Sequence, residues 1–210
     1  MENLEIKIAK SLLQIKAIKL QPANPFTWAS GWNSPIYCDN RKTLSYPDIR
    51  NEIRDGFVDI IKEKYGTPDV IAGVATGAIA IGMLVADAMN LPFIYVRPKP
   101  KEHGLGNMIE GEIPVGKKVL VVEDLISTGK SSLNAVEALR KADIEVLGMV
   151  AIFTYGFQIS EQNFKEANVN LTTLSNYNEL IKIALDSGYV KESDLETLQQ
   201  WRVDPANWNK

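Results

Sequence analysis

Two adjacent carboxylates, Glu123 and Asp124, follow four apolar residues, Val119, Leu120, Val121 and Val122, and precede the hydroxyl-rich stretch Ser127, Thr128, Gly129, Lys130, Ser131 and Ser132. The apolar run reads as a buried strand. Acids at its carboxyl end lie where open α/β sheets bind ligands. The residues after them read as a turn into a helix that begins near Gly129. The first N–H groups of a helix have no intrahelical acceptor and sit at the positive end of its dipole. A phosphate monoester fits there. Ser127, Thr128 and Ser131 can add hydroxyl donors, and Gly129 lets the backbone approach closely. The carboxylates repel phosphate, so they suit ligand hydroxyls or Mg2+. A ligand with one phosphate, vicinal hydroxyls and a metal-bound polyphosphate matches this order of groups.

Alone, Asp124 and Thr128 would read as a loop acid and a helix N-cap. The complete run of strand, acid pair and hydroxyl-glycine turn is what points to chemistry. It is not a nucleotide P-loop, whose pattern is Gly-x4-Gly-Lys-Ser/Thr. Gly129, Lys130 and Ser131 supply the end of that pattern, but Asp124 stands where its first glycine belongs. Successive strand residues point to opposite faces. Glu123 and Asp124 therefore cannot both face one ligand unless the strand ends or twists there, and Asp124, next to the turn, ranks first.

The remainder of the chain has to position this segment. Its 210 residues suit one domain, at roughly 100–200 residues per domain. A net charge of −3 gives no generic nucleic-acid or membrane-surface binder, so any anion site is built locally. The one cysteine, Cys38, excludes an intrachain disulfide and suits a reducing, cytoplasmic setting; it reads as a small buried residue. The N-terminus lacks the pattern of a signal peptide. Residues 70–86 are almost wholly apolar but fall short of the ~20 residues of a membrane span. They read as a strand, a glycine turn and a packed helix.

Apolar spacing predicts helices over 4–19 and 48–64, separated by a loop-like stretch over 22–45 that carries Pro22, Pro25, Gly31 and Pro35. Short apolar runs follow at 69–75, 92–96, 118–123, 145–153 and 169–174. Helices are predicted at 78–89, from about 129 to 141, at 176–186 and at 193–201. Runs without polar alternation suit strands buried on both faces, and their alternation with helices implies an α/β fold with a mostly parallel sheet. Residues 98–116 break the rhythm with three prolines and four glycines. Loops longer than about 12–15 residues in a compact domain are usually lids or binding loops. Arg97, Lys99, Lys101 and His103, the single histidine, cluster at its start.

Three segments together resemble a known family. Residues 119–132 resemble the phosphoribosyl pyrophosphate motif of type I phosphoribosyltransferases. Residues 97–104, Arg-Pro-Lys-Pro-Lys-Glu-His-Gly, resemble the catalytic loop of the orotate phosphoribosyltransferases, and residues 26–41 resemble their N-terminal hood. The resemblance implies one phosphoribosyltransferase domain over 1–210: a central, mostly parallel sheet flanked by helices. A small hood would come mainly from residues 1–45 with part of the C-terminus, and a catalytic loop from 98–116. It implies transfer of a phosphoribosyl group from phosphoribosyl pyrophosphate to orotate, giving orotidine 5′-monophosphate and pyrophosphate, a step of UMP synthesis. Mg2+ would be held mainly by substrate oxygens and water, with no dedicated metal ligands. It implies a homodimer whose loops act across the subunit boundary.

By the same resemblance Glu123 and Asp124 hold the ribose hydroxyls. Leu125, Ile126, Ser127, Thr128, Gly129, Lys130 and Ser131 wrap the 5′-phosphate, Ser127 also lies beside orotate, and Arg97, Lys101 and His103 contact the pyrophosphate. Lys101, Asp124 and Glu123 are the catalytic candidates. The chain departs from some members in several places: Pro98 follows the loop arginine, Ala29 replaces a hood lysine, the first phosphate turn (73–78) has no lysine, and no arginine follows the fourth strand at Tyr155 and Gly156. Asn40 and Arg41 are candidates for orotate's carboxylate. A ligand-sensing regulator of this fold would carry a basic face or a further DNA-binding domain, and neither is present in this sequence. A purine or uracil transferase is disfavoured by the hood and the loop.

Overall fold

The computed structural model describes residues 3–28, 30–100 and 108–208. Helix α1, Leu4–Gln14, is capped by Asn3, whose side chain accepts from the Glu5 amide. It ends before the predicted limit because Lys16 takes a left-handed φ of 56°, which an α-helix cannot accommodate. The freed residues join a strand, β1 (Ile18–Leu20). The stretch expected to be loop holds three further strands, β2 (Phe26–Thr27), β3 (Asn33–Ser34) and β4 (Ile36–Cys38), then a 3-10 turn over Asn40–Ser45. Antiparallel pairs β1–β4 and β2–β3 form. Strands this short leave no usable apolar alternation, so sequence alone reads them as loop.

Helix α2 (Pro47–Lys64) starts with proline at its first turn, where the missing N–H costs nothing. The alternating part follows: β5 (Val70–Val74), α3 (Ile79–Met89), β6 (Phe93–Val96), β7 (Ile109–Glu110), β8 (Lys118–Ile126), α4 (Lys130–Lys141), β9 (Glu145–Thr154), α5 (Gln158–Glu166), β10 (Leu171–Asn176), α6 (Tyr177–Asp186) and α7 (Leu195–Val203). The apolar stretch 70–86 is thus β5, a turn and most of α3. Among the described residues no helix is long and apolar enough to cross a membrane. The predicted strand 118–123 runs on to Ile126, because its ladder with β9 continues through Leu125 and Ile126. Within the segment 98–116, Ile109 and Glu110 pair with Val96 and Tyr95. Helix α5 was not predicted.

Six strands form one sheet in the order β10-β9-β8-β5-β6-β7, parallel except for β7. Alternate residues of β8 serve two cores: Leu120 and Val122 pack with α1, α2, α3, α6 and α7, whereas Val119 and Val121 pack with α4 and α5. A sheet buried on both faces explains why β5 and most of β8 read as unbroken apolar runs. The chain leaves β5 toward β6 and β7, then returns to place β8 on the other flank of β5. The order reverses there, and the loops after β5 and β8 part to leave a crevice, the usual ligand site of such sheets.

Candidate active site

A cleft of about 350 Å3 opens at this switch point. Val74 to Gly77 line one wall, Glu123 to Leu125 the floor, Ser131 and Asn134 of α4 a second wall, and Arg97, Pro98, Cys38, Asp39 and Arg41 the rim. The structure therefore brings Arg97, Glu123, Asp124, Leu125 and Ser131 together. Lys101 and His103 lie outside the described residues.

The two acids take different environments. Glu123 is 4% exposed and lies on the α4 side of the sheet. One of its oxygens accepts from the Asp124 amide at 2.9 Å and the other from the Ser132 hydroxyl at 2.8 Å. Burial raises its pKa well above the ordinary value, and the neighbouring Asp124 carboxylate raises it further. Asp124 is half-buried and projects toward Gly77: a Cβ built on Gly77 would lie 2.2 Å from Asp124 Oδ2. Only glycine leaves room for that carboxylate against the turn that follows β5. Sequence alone placed Gly77 in the first phosphate turn but not against Asp124, since nothing local says that a residue 47 positions away presses on it.

A carboxyl whose folded pKa exceeds its unfolded value favours folding at low pH. That contribution fades as pH rises from about 4.3, the unfolded value, through the raised folded value. Glu123→Gln cannot ionise, so it is expected to melt a few degrees above the parent at about pH 8, at roughly 2–4 °C per kcal/mol. The gap should close toward about pH 4. Thermal melts at both pH values check this, and a variant melting lower than the parent at the higher pH would contradict it.

Leu125 and Ile126 remain in the β8 ladder, with Ile126 fully buried, so the free turn narrows to residues 127–129. Gly129 is the N-cap of α4 at φ 78°, and no side chain caps it. A positive φ at this point turns the chain sharply enough to aim the first helical amides back over the β8 end, and glycine adopts it without steric cost. Thr128 is not the cap. The Asn163 amide donates to the Thr128 carbonyl at 2.9 Å, so α5 braces the turn from outside.

On the rim, Asn40 is 2% exposed. Its amide donates to the Asp124 carbonyl at 2.6 Å, while its oxygen accepts from the Cys38 thiol at 3.3 Å. Both ends of Asn40 are engaged in linking the N-terminal strands to β8, a placement that leaves Arg41 the more accessible of the two carboxylate candidates. Arg41 pairs with Asp39 at 2.7 Å, and that contact holds the Asp39 carboxyl below its ordinary range. Cys38 is not simply a core residue: it lines the cleft, where burial and the nearby Asp124 and Asp39 charges push its thiol up. Arg97 Nη1 lies 3.5 Å from Glu110 of β7, so both stems of the basic segment are tied at the rim. Above the β9 end, the tilted rings of Trp28 and Tyr155 lie 5.3 Å apart, and Trp201 of α7 meets Tyr155 edge-on at 5.5 Å. This aromatic block fixes the N-terminal strands and the C-terminal helix against one side of the cleft.

A strand-end acid and an uncapped helix start lie at one switch point of a doubly wound sheet, where such sheets bind ligands. The chain belongs to the phosphoribosyltransferase family, whose phosphoribosyl transferase domain matches residues 43–187. Within that family it falls among the orotate phosphoribosyltransferases. The enzyme of that name from Bacteroides fragilis is 62% identical over 99% of this chain and 98% of its own. The one from Listeria monocytogenes is 52% identical over 99% of this chain and 100% of its own. Among solved structures, orotate phosphoribosyltransferase from Aeropyrum pernix superposes with a TM-score of 0.75 at 26% identity, over 88% of this chain and 99% of its own.

Proposed function

We propose that this chain transfers the phosphoribosyl group of phosphoribosyl pyrophosphate to orotate, releasing pyrophosphate and forming orotidine 5′-monophosphate for UMP synthesis. The observation that carries the reading is the juxtaposition of Asp124, seated against Gly77, with the uncapped start of α4. In the reaction the C1′–O bond breaks, its electron pair leaving with pyrophosphate, as a ring nitrogen of orotate bonds C1′ and gives up its proton to pyrophosphate or water. Positive charge develops on the sugar and negative charge on the departing pyrophosphate.

The chain supplies position and electrostatics rather than a nucleophile. Amides and hydroxyls of Ser127, Thr128, Gly129, Lys130 and Ser131 hold the 5′-phosphate. Asp124 accepts the ribose hydroxyls and stabilises the developing oxocarbenium charge, with Glu123 behind it. The backbone of the turn over 75–78, together with Arg97, Lys101 and His103, receives the pyrophosphate. Ser127 and the rim around Arg41 border orotate.

Mg2+ fits this donor set. Among the described residues no group of three or more His, Cys, Asp or Glu is placed to hold a metal ion, while the carboxylates that line the cleft are Asp39, Glu123 and Asp124. An Mg2+ ion held mainly by diphosphate oxygens and water would neutralise charge on the leaving group. We place the active unit as a cytoplasmic homodimer of one domain per chain, its loops reaching across. Sedimentation at about twice the chain mass of 23.3 kDa would support this, and a monomer at working concentration would remove the cross-subunit loop.

Incubation with phosphoribosyl pyrophosphate, Mg2+ and orotate is expected to lower orotate absorbance steadily. Turnover of hypoxanthine or uracil instead of orotate would overturn the substrate. Tight binding of phosphoribosyl pyrophosphate with no turnover of any base would favour a regulator.

A further inference from the structure

Helix α5 carries no residue so far given a part in the reaction, yet it touches the phosphate turn at two points. Asn163 donates from its side-chain amide to the Thr128 carbonyl at 2.9 Å. The Phe164 ring, 4% exposed, lies behind Gly129, where an added Cβ would come within 2.7 Å of it. Gly129's own carbonyl is engaged by the Leu133 amide at 2.9 Å.

The peptide between Thr128 and Gly129 is not among the cis bonds of the described residues. In a trans peptide the carbonyl and the N–H point in opposite directions within one plane. A carbonyl held outward by Asn163 therefore turns the Gly129 N–H away from α5, toward the cleft. Without that donor, the plane is free to rotate about the bonds that flank it, and a glycine restricts such rotation least. A carbonyl that accepts a hydrogen bond also polarises its own peptide group, which strengthens the N–H as a donor.

We propose that Asn163 is a positioning residue for the transfer reaction: by pinning the Thr128 carbonyl it aims the Gly129 amide at the 5′-phosphate. This rests on the reading of the turn as the phosphate site. Phe164 sets the depth of Gly129, and Asn163 sets the orientation of its peptide. The residue acts on substrate capture and not on the departure of pyrophosphate, which lies at the other end of the cleft.

The test compares the wild type with Asn163→Leu, which keeps the size of the side chain and removes the donor. Its KM for phosphoribosyl pyrophosphate is expected to rise about tenfold, as is the Kd for ribose 5-phosphate, the loss of one directed hydrogen bond. Saturated turnover and the KM for orotate should stay within about twofold, a split that general loosening of the fold would not produce. In an amide spectrum, the Gly129 resonance should shift on adding ribose 5-phosphate to the wild type and much less in the variant. If Asn163→Leu does not fold, Asn163→Asp removes the same donor and carries the same expectations. An active wild type with unchanged ribose 5-phosphate affinity in the folded variant overturns the inference alone. A wild type that neither turns over nor binds ribose 5-phosphate overturns the phosphate-site reading and this inference with it.

Discussion

Gly77→Ala is expected to cut turnover about a hundredfold while the chain stays folded, because misplacing a reacting group by about 1 Å has that order of cost. The Cβ would come within 2.2 Å of Asp124 Oδ2 and 2.4 Å of its Cγ. Ordinary contact needs more than a further ångström, and it is the side chain of Asp124 that gives way. The three nearest atoms are all from that carboxylate, and Gly77 has no positive φ, so the damage should stay local. Steady-state kinetics beside a thermal melt separates a displaced carboxylate from an unfolded chain. The double variant with Asp124→Ala sharpens the test. Two changes acting through one group do not add, so Gly77→Ala should cost almost nothing once the carboxylate is gone. Additive losses, or a single variant near the wild-type rate, would show that Asp124 does not work from this position.

Lys101→Ala is expected to lower saturated turnover by about 10²–10³, the size seen when one preorganised donor to developing charge is removed. The reasoning is chemical, from the segment's sequence and its two stems, since Lys101 lies outside the described residues. The leaving pyrophosphate gains negative charge as the C1′–O bond breaks. Arg97 marks where the segment departs, at the cleft rim, and Met108, whose carbonyl accepts from the Arg97 amide at 2.8 Å, marks where it returns. An ammonium brought between these stems would meet the leaving group, and exclusion of water there would raise its electrostatic worth. Since it acts on the transition state, turnover should fall far more than the KM for either substrate rises. A variant within a few-fold of the wild-type rate would assign the charge stabilisation to Arg97 or His103 instead.

The parts of the molecule that were legible from sequence are those whose signal is local. Residues 119–132 announce a buried strand, an acid pair and a hydroxyl-glycine turn in consecutive positions, and each of β5, α3, β6, α4, β9 and α6 carries its own apolar pattern. Helix α5 does not. In Gln158–Glu166 the two large apolar side chains are Ile159, 48% exposed, and Phe164, so there is no apolar stripe to read. The helix stands because Phe164 fills the space behind Gly129. The N-terminal strands β1 to β4, two or three residues each, exist through pairing with one another. The fit of Asp124 to Gly77, and of Asn40 to the Asp124 carbonyl, joins residues 47 and 84 positions apart. No spacing rule reaches that far, and for this reason the sequence could rank the acids but not say what holds them.

Strand β7 has a bearing on the behaviour of the protein in solution. An all-parallel sheet ending at β6 would present a row of unpaired backbone groups next to the cleft, a ready template for another chain. The two residues Ile109 and Glu110 occupy that row antiparallel and then leave it at Gly111, whose φ is 107°. What they expose in turn is too short, and too close to a carboxylate, to recruit a neighbour by strand addition. The segment that frames the cleft rim thus also guards the sheet against aggregation, and shortening it should show first as precipitation during refolding.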